Sequence, residues 1–534
     1  MASGGVKTED ATPAAEAKGR LGRAVSRVIS DGSLTKKASL NAAASTAEQI
    51  ARIVAGLIIS PILLTRLGDS AYGIWQVLQR LIGHASPASG RPGEALKWTI
   101  AHEQRSTDFD FKRRQVGNAL AVWVLFLPLL VAIGGTLAWL SPIWLGVQQA
   151  SYGTVRVAAA ILVLDAVLFS LLYLPQSVLQ GENLGYKRLG LSVLLVFVSK
   201  ALLVTAVVLG FGIGGLAAAT TVATVLWGAT YVFIVRSRVG WFGIARPSRA
   251  EVGRFVRLSW WFLLWNLVMI VMLASDVVVL GVVSGPVLVT TYTLAKYIPQ
   301  AITVAVATVI VAIMPGLGGL VGAGELVRAV RIRKETMSLI WLFTIVAGTT
   351  VLVWEESFLR LWVGERYYPG SAAILMIMLM VLQFALIRTD ANIIDLTLNL
   401  RRKVLLGALS AILSVGLAWL FLGPMKMGII GLALGFIVGR TIQSIGYPWM
   451  IGRLLGIPLE RQVRGIVRPG LATGVLFAGS SALGAAAHAG SWPALVLSAG
   501  VSAGVVAVLA FFAGLTAETR QLLWHRFRKV VRLT

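Results

Sequence analysis

From residue 41 onward the chain alternates long apolar blocks with short polar, mostly basic interruptions. About 20 apolar residues suffice to carry a helix across a bilayer. A membrane barrel would instead show apolar and polar residues alternating in segments of about ten. The pattern therefore predicts an all-α polytopic membrane protein. Fourteen transmembrane helices are expected, at 44–66, 72–89, 116–140, 155–179, 188–210, 213–235, 257–282, 288–314, 335–354, 371–397, 403–423, 428–451, 467–487 and 493–515. The second is the most polar, holding Gln76, Gln79, Arg80 and His84.

Composition agrees with this reading. Only 13% of residues are charged and mean hydropathy is +0.80, whereas a soluble domain carries about 25% charged residues. Charge then orients the spans, because basic loops mark the cytoplasmic side. If both termini are cytoplasmic, the inner segments hold 35 of the 48 Lys and Arg residues, while the outer loops hold only Arg360, Arg366 and Lys426. Removing the second helix alone would invert every later loop against this bias. An inner (cytoplasmic) membrane location with both ends cytoplasmic follows. The net charge of +25 then belongs to the inner loops and needs no nucleic acid, aided by anionic lipid headgroups. The first apolar run begins near Asn41, so no cleavable signal is expected. The chain has no cysteine, which leaves no disulfide or thiolate metal site.

An internal repeat is visible. Residues 212–222 read GIGGLAAATTV and residues 428–438 read GIIGLALGFIV, 216 positions later. Shifted by this offset, helices one to six fall on helices seven to twelve. Each half has an even number of spans, so the halves are parallel repeats, an arrangement that places a substrate site between them. The expected layout is a basic N-terminal segment (1–40), an N-lobe (41–240), a C-lobe (241–455), two extra helices (456–516) and a basic tail (517–534). Residues 18–30 and 518–533 both read as basic amphipathic helices lying on the inner membrane face.

The halves also share a polar stripe. Tyr72, Gln76, Arg80 and His84 follow i, i+4, i+8 spacing and lie on one face of helix two. Tyr292, Lys296 and Gln300 on helix eight lie 220 positions after the first three. A bare Arg at mid-membrane costs about 2.5–3.5 kcal/mol, so these stripes are expected to face a wet cavity. Arg388, Asn392 and Asp395 share a face of helix ten. Other intramembrane charges are Arg52, Asp165, Lys200, Asp276, Asp390 and Arg440. For several of them the plain alternatives are snorkelling (Arg52, Asp395), local pairing (Asp276) or an Asp165–Lys200 ion pair.

The turn between helices one and two lies within SPILLTRLGDSAYGIW (60–75). With RPGEALKWTIAHEQ (91–104) and SDVVVLGVVSGPVLVTTYTLAKYI (275–298), it resembles the Wzx-type polysaccharide and oligosaccharide-lipid flippases of the multidrug, oligosaccharidyl-lipid and polysaccharide (MOP) exporter superfamily. The resemblance runs from about residue 40 to 515. It implies a two-lobed, non-enzymatic transporter with a central cationic cavity, carrying a glycan on a polyprenyl diphosphate and working beside a polysaccharide polymerase and assembly proteins. The diphosphate carries about two negative charges, and Arg suits phosphate. Arg80 and Arg388 are the candidate diphosphate ligands, supported by Arg52 and Lys296. Gln76, His84 and Asn392 are candidates for sugar hydroxyls. Asp276 or Asp390 is the candidate ligand for a coupling cation, Na+ or H+; no other cofactor is expected.

Other readings stay open at this point. An ion-coupled multidrug exporter favours cavity acids, whereas the buried surplus here is basic. A peptidoglycan-precursor flippase also handles a diphosphate lipid. Asp108-Phe109-Asp110 is literally a DxD triplet, as in membrane glycosyltransferases, but it sits in a short loop beside Lys112, Arg113 and Arg114. No GxxxxGK[ST] is present, and the four His residues are scattered.

Overall fold

The computed structural model describes residues 34–104, 106–322, 324–395 and 401–531, and every regular element in these segments is helical. The helices are α1 (Leu34–Gly83), α2 (Pro92–His102), α3 (Phe109–Trp144), α4 (Tyr152–Gly181), α5 (Leu189–Val208), α6 (Gly212–Arg238), α7 (Arg249–Ser284), α8 (Pro286–Ala295), α9 (Tyr297–Gly322), α10 (Leu326–Trp362), α11 (Ser371–Asp395), α12 (Arg401–Leu422), α13 (Gly428–Leu455), α14 (Leu459–Gly484), α15 (Trp492–Gly514) and α16 (Ala517–Val531).

Among the described residues, 12 helices are long and apolar enough to cross a membrane, or 13 when the bent pair α8 and α9 is taken as one span. One of the 12 extends from Ala43 to Ser89, about 70 Å at the helical rise, far more than a bilayer core of about 30 Å. It is interrupted at Gly68, whose φ of 77° and ψ of 169° are not helical. Its two arms are two crossings, which gives the fourteen spans expected. The face carrying the turns at Gly68 and Gly285 is termed far, and the face carrying both ends of the described chain is termed near.

Two expected helices are differently built. Helix two does not stop at residue 89. Its arm ends at Gly83, a 3-10 turn follows over Ser86–Ser89, and α2 completes the crossing to His102. Helix eight is bent by 54° between α8 and α9, at Lys296. Both polar stripes therefore sit on broken spans. Irregular backbone at membrane depth is tolerated only where protein or a cavity covers it.

Packing repeats between the halves. The fourth and sixth spans pack together (α4 on α6), as do the tenth and twelfth (α11 on α13); α5 packs on α6 as α12 does on α13, and α1 on α5 as α7 does on α12. Helices α14 and α15 lean on α10, outside the repeat. The expected amphipathic helix at 18–30 lies outside the described residues. The C-terminal one is present as α16, tied to α10 by a Glu518–Lys334 ion pair at 2.7 Å.

The two halves of the repeat, α1–α6 (the first group) and α7–α13 (the second group), meet mainly through α1 against α7 and α8. Their hydrogen bonds gather toward the far face. Asp69, in the far turn, accepts from Tyr367 (2.5 Å) and Arg366 (3.2 Å) through its carboxylate, and from Thr290 (2.7 Å) through its carbonyl. Burial, helped by Asp69, pushes the Tyr367 hydroxyl up to about 12, so it remains a donor at neutral pH. Deeper, Trp362 donates to the Leu57 carbonyl (2.6 Å) and Tyr297 to that of Ile53 (2.5 Å), with their rings 4.9 Å apart. Close approach depends on Gly73, where a Cβ would stand 1.9 Å from the Pro286 carbonyl oxygen. On the near side the bonded contacts belong to the connection between halves, including Arg114–Glu251 (3.2 Å) beside the Ser248 capping box of α7. Gly73→Val is expected to cost about 1–3 kcal/mol as overpacking, read as a lower unfolding midpoint of the purified protein in detergent.

Candidate functional site: a charged cluster between the helix groups

Asp276 sits on α7 about two turns below the far end, only 3% exposed. The Tyr292 hydroxyl donates to its carboxylate at 2.6 Å, and the Lys296 ammonium forms an ion pair with the same oxygen. Lys296 reaches it because the helix breaks there, in the αR cap between α8 and α9. The charges of Arg80, from the first group, and Arg440, from α13, also act on Asp276. Arg440 is buried, donates to the Met272 carbonyl at 2.6 Å, and lies over the Phe436 and Phe384 rings at 5.1 and 5.3 Å. The cluster thus holds one carboxylate and three cations drawn from both halves of the repeat.

His84 closes the cluster across the groups. Its Nδ1 lies 2.6 Å from the Arg80 carbonyl and its Nε2 lies 3.0 Å from the Ser275 hydroxyl. A carbonyl only accepts, so Nδ1 carries the proton, and in the neutral ring Nε2 accepts from Ser275. Gln76, one turn earlier, lies against the Tyr72 hydroxyl. The stripe Tyr72–Gln76–Arg80–His84 therefore faces the second group.

Arg388, Asn392 and Asp395 occupy a different place. They line a cavity of about 90 Å³ inside the second group, with Trp265, Gln443 and Tyr447. Asp395 is not snorkelling. It pairs at 2.5 Å with Lys403, which is fully buried with its ammonium 3.6 Å from the centre of the Trp265 ring. Met272 lines this cavity and also accepts from Arg440, so it forms the wall between cavity and cluster. Arg80 and Arg388 lie in different halves, and Arg80 is not part of the cavity that Arg388 lines.

Other expected residues are engaged elsewhere. Asp390 holds Arg333 through both oxygens, at 2.8 Å each. As a cation ligand it would start with no free oxygen. Arg52 pairs with Glu48 at 2.7 Å and lies 5.4 Å from the Trp227 ring, within the first group. Lys296 is committed to Asp276. Asp165 and Lys200 do not pair: Asp165 has Thr224 as its partner, and Lys200 lies near Arg52. The reading from sequence missed Ser275, Tyr292 and Arg440 as site members. The 220-residue offset from Tyr72 marked Tyr292, and Arg440 was visible as an intramembrane charge; only its convergence on Asp276 required the fold.

Solved structures with the same arrangement include an inward-facing multidrug resistance MATE family transporter of the MOP superfamily (TM-score 0.62, 15% identity, 77% of this chain and 95% of that one). They also include the lipid II flippase MurJ in an inward closed conformation (TM-score 0.63, 11% identity, 89% of this chain and 98% of that one). The fold is that of MATE transporters and MurJ. A curated relative, the uncharacterized membrane protein EpsK of Bacillus subtilis (strain 168), is 30% identical over 127 residues; the match spans about a quarter of each chain. No protein-family model matches the sequence.

Breaking a buried ion pair from one side costs about 3–5 kcal/mol, whereas replacing both partners with apolar residues is often neutral. Asp276→Asn is expected to lower thermal stability in detergent strongly, and Asp276→Leu with Lys296→Met to recover most of the loss. The double-mutant cycle checks it.

Proposed function

We propose that this membrane protein, with the fold of a transporter, flips a polyprenyl-diphosphate-linked oligosaccharide from the cytoplasmic to the outer leaflet for surface polysaccharide assembly. The observation that carries the reading is the charge balance. Asp276, Asp390 and Asp395 are each neutralised by a dedicated cation, Lys296, Arg333 and Lys403. The guanidinium groups of Arg80, Arg388 and Arg440 have no ion-pair partner among the described residues, Arg440 donating instead to the Met272 carbonyl. The surplus is cationic and Arg-based, suited to bidentate contact with a diphosphate. A site for cationic drugs would need the reverse.

In this reading the near face is cytoplasmic, the membrane is the inner one, and both termini are cytoplasmic. The hydrogen bonds around Asp69 seal the far side, so the headgroup enters from the near side and first meets Arg80. Opening of the far side follows when the Asp69–Tyr367–Arg366 contacts and the Trp362 and Tyr297 bonds release together. Gln76, His84 and Asn392 are left for sugar hydroxyls. Arg52 and Lys296 drop out as phosphate ligands because their charges are already matched, and Asp390 drops out as a coupling-ion site because Arg333 occupies it. Asp276 keeps that role only if Lys296 moves off during the cycle. Polymerase and assembly proteins remain the expected partners.

In a deletion strain with an otherwise intact glycan pathway, mass spectrometry of extracted lipids is expected to show a complete repeat unit accumulating on its carrier. Arg80→Ala is expected to restore export at least about tenfold less well than the parent, one lost charge-assisted contact being worth about 1.5–3 kcal/mol. Full export by Arg80→Ala would remove the proposed role. Accumulated peptidoglycan precursor instead of a repeat unit would move the protein to that substrate.

Conformation has its own readout. The chain has no native cysteine, so Gln76→Cys gives a single reporter thiol. Labelling with a membrane-impermeant maleimide from the far side is expected to rise several-fold when Asp69→Ala is added.

A further inference from the structure

The segment RPGE (91–94) lies where helix two breaks, and nothing in the diphosphate reading uses it. Between the break, α4 and α6 is a cavity of about 230 Å³ within the first group. Its polar wall includes Gln79, Ser89, Arg91, Glu94, Asp165 and Tyr173. Arg91 adopts a left-handed backbone conformation (φ 50°, ψ 43°) just before Pro92 opens α2, a strained setting for a residue with a Cβ. Its Nε is buried without a partner, and so is one carboxylate oxygen of Asp165. Glu94 accepts from Lys97 at 2.5 Å and from the Tyr173 hydroxyl at 3.2 Å. The first turn of α2 presses on α4 so closely that a Cβ at Gly93 would stand 2.6 Å from the Tyr173 ring.

Three properties define what fits. The charges balance, with Arg91 and Lys97 against Glu94 and Asp165, which disfavours both a diphosphate and a free cation. Among the described residues no group of three or more His, Asp or Glu side chains is arranged to hold a metal ion. The volume lies below the roughly 300–1,000 Å³ of sites for drug-sized ligands, so the cavity suits one ring and not a whole oligosaccharide. The wall offers donors, acceptors and an aromatic surface together, since Tyr173 stacks with Phe169 at 5.7 Å and 24°. A neutral, ring-sized ligand carrying many hydroxyls satisfies all three.

We propose that this cavity binds one sugar ring of the transported glycan, with Asp165 and Arg91 bonding its hydroxyls and Tyr173 covering a face. The proposal rests on the flippase reading and gives it a specificity-determining site separate from the diphosphate site at Arg80. Buried groups left unpaired when the sugar is absent make such a site discriminating.

The test compares two probes on the purified full-length protein by native mass spectrometry. One is sugar-free undecaprenyl diphosphate, and the other is the lipid-linked glycan pool extracted from the deletion strain. The parent is expected to hold the glycosylated lipid about tenfold or more tighter than the bare carrier. Asp165→Asn, nearly isosteric, and Tyr173→Leu, which removes the covering ring, are expected to lose most of that margin while keeping affinity for the bare carrier; Arg80→Ala is expected to weaken both. A margin unchanged in both cavity variants, or no margin in the parent, would overturn the sugar site alone. A parent that binds neither probe would overturn the flippase reading and this proposal with it.

Discussion

Everything distinctive in this molecule follows from placing ionised groups where water is scarce. An unpaired charge in hydrocarbon is costly, and the second half of the chain answers that constraint with a dedicated cation for each of Asp276, Asp390 and Asp395. Each pair joins different elements: Asp276 on α7 to Lys296 at the α8–α9 break, Asp390 on α11 to Arg333 on α10, and Asp395 on α11 to Lys403 on α12. The pairs fix how these helices pack, and they also determine which charges remain available. Arg80 is left over because Asp276, on which its charge acts, is already held by Lys296.

The broken spans are the second consequence. A continuous helix would present the polar stripe of helix two as a uniform ridge. The break at 84–91 turns the near half of that span into a separate helix, so that one crossing serves two places: Arg80 and His84 reach the second group, while Arg91 and Glu94 turn into the first. The bend at Lys296 does the equivalent in the second half, letting an ammonium leave its helix and reach Asp276. The pseudo-symmetry is thus one of backbone irregularity as much as of sequence. The two breaks are unequal in form, a loop of eight residues against a single-residue cap, which is why the offset aligning Tyr72 with Tyr292 does not align their surroundings.

Long-range periodicity was the most readable feature of the sequence. Fourteen apolar blocks, the basic bias of alternate loops and the GIGG and GIIG repeat led to the architecture found, because hydropathy and helix length are local quantities. The breaks were not readable in the same way. Polar residues at 76–84 signalled an unusual second helix, but where it stops depends on how α4 receives Gly93 at the start of α2. Pairing was the least readable. Asp165 and Lys200 have opposite charge on neighbouring spans and still do not meet, while Asp390 and Arg333 are 57 residues apart and form a bidentate pair. Spacing along one helix gives the face a residue occupies; the partner comes from the crossing of two helices.

The shared fold leaves open which cargo such a molecule carries, since MATE transporters and MurJ differ in what their names say they handle. What separates the possibilities is the sign of the charge left after internal pairing, and where it lies. Counting charges alone would have placed Lys296 and Arg52 with Arg80, giving a broad cationic lining with little selectivity. Subtracting the pairs leaves the guanidinium groups of Arg80 and Arg440 at the central cluster, that of Arg388 apart from them, and a charge-neutral cavity beside Arg80. That combination matches a ligand with a compact anionic part joined to a neutral, hydroxyl-rich part. A cationic amphiphile would find no unpaired acid in the central cluster to replace its water. On the proposed reading, a lipid-linked glycan would find unpaired guanidinium groups for its phosphates and a separate polar recess for a sugar, two neighbouring places that the interrupted second span sets apart.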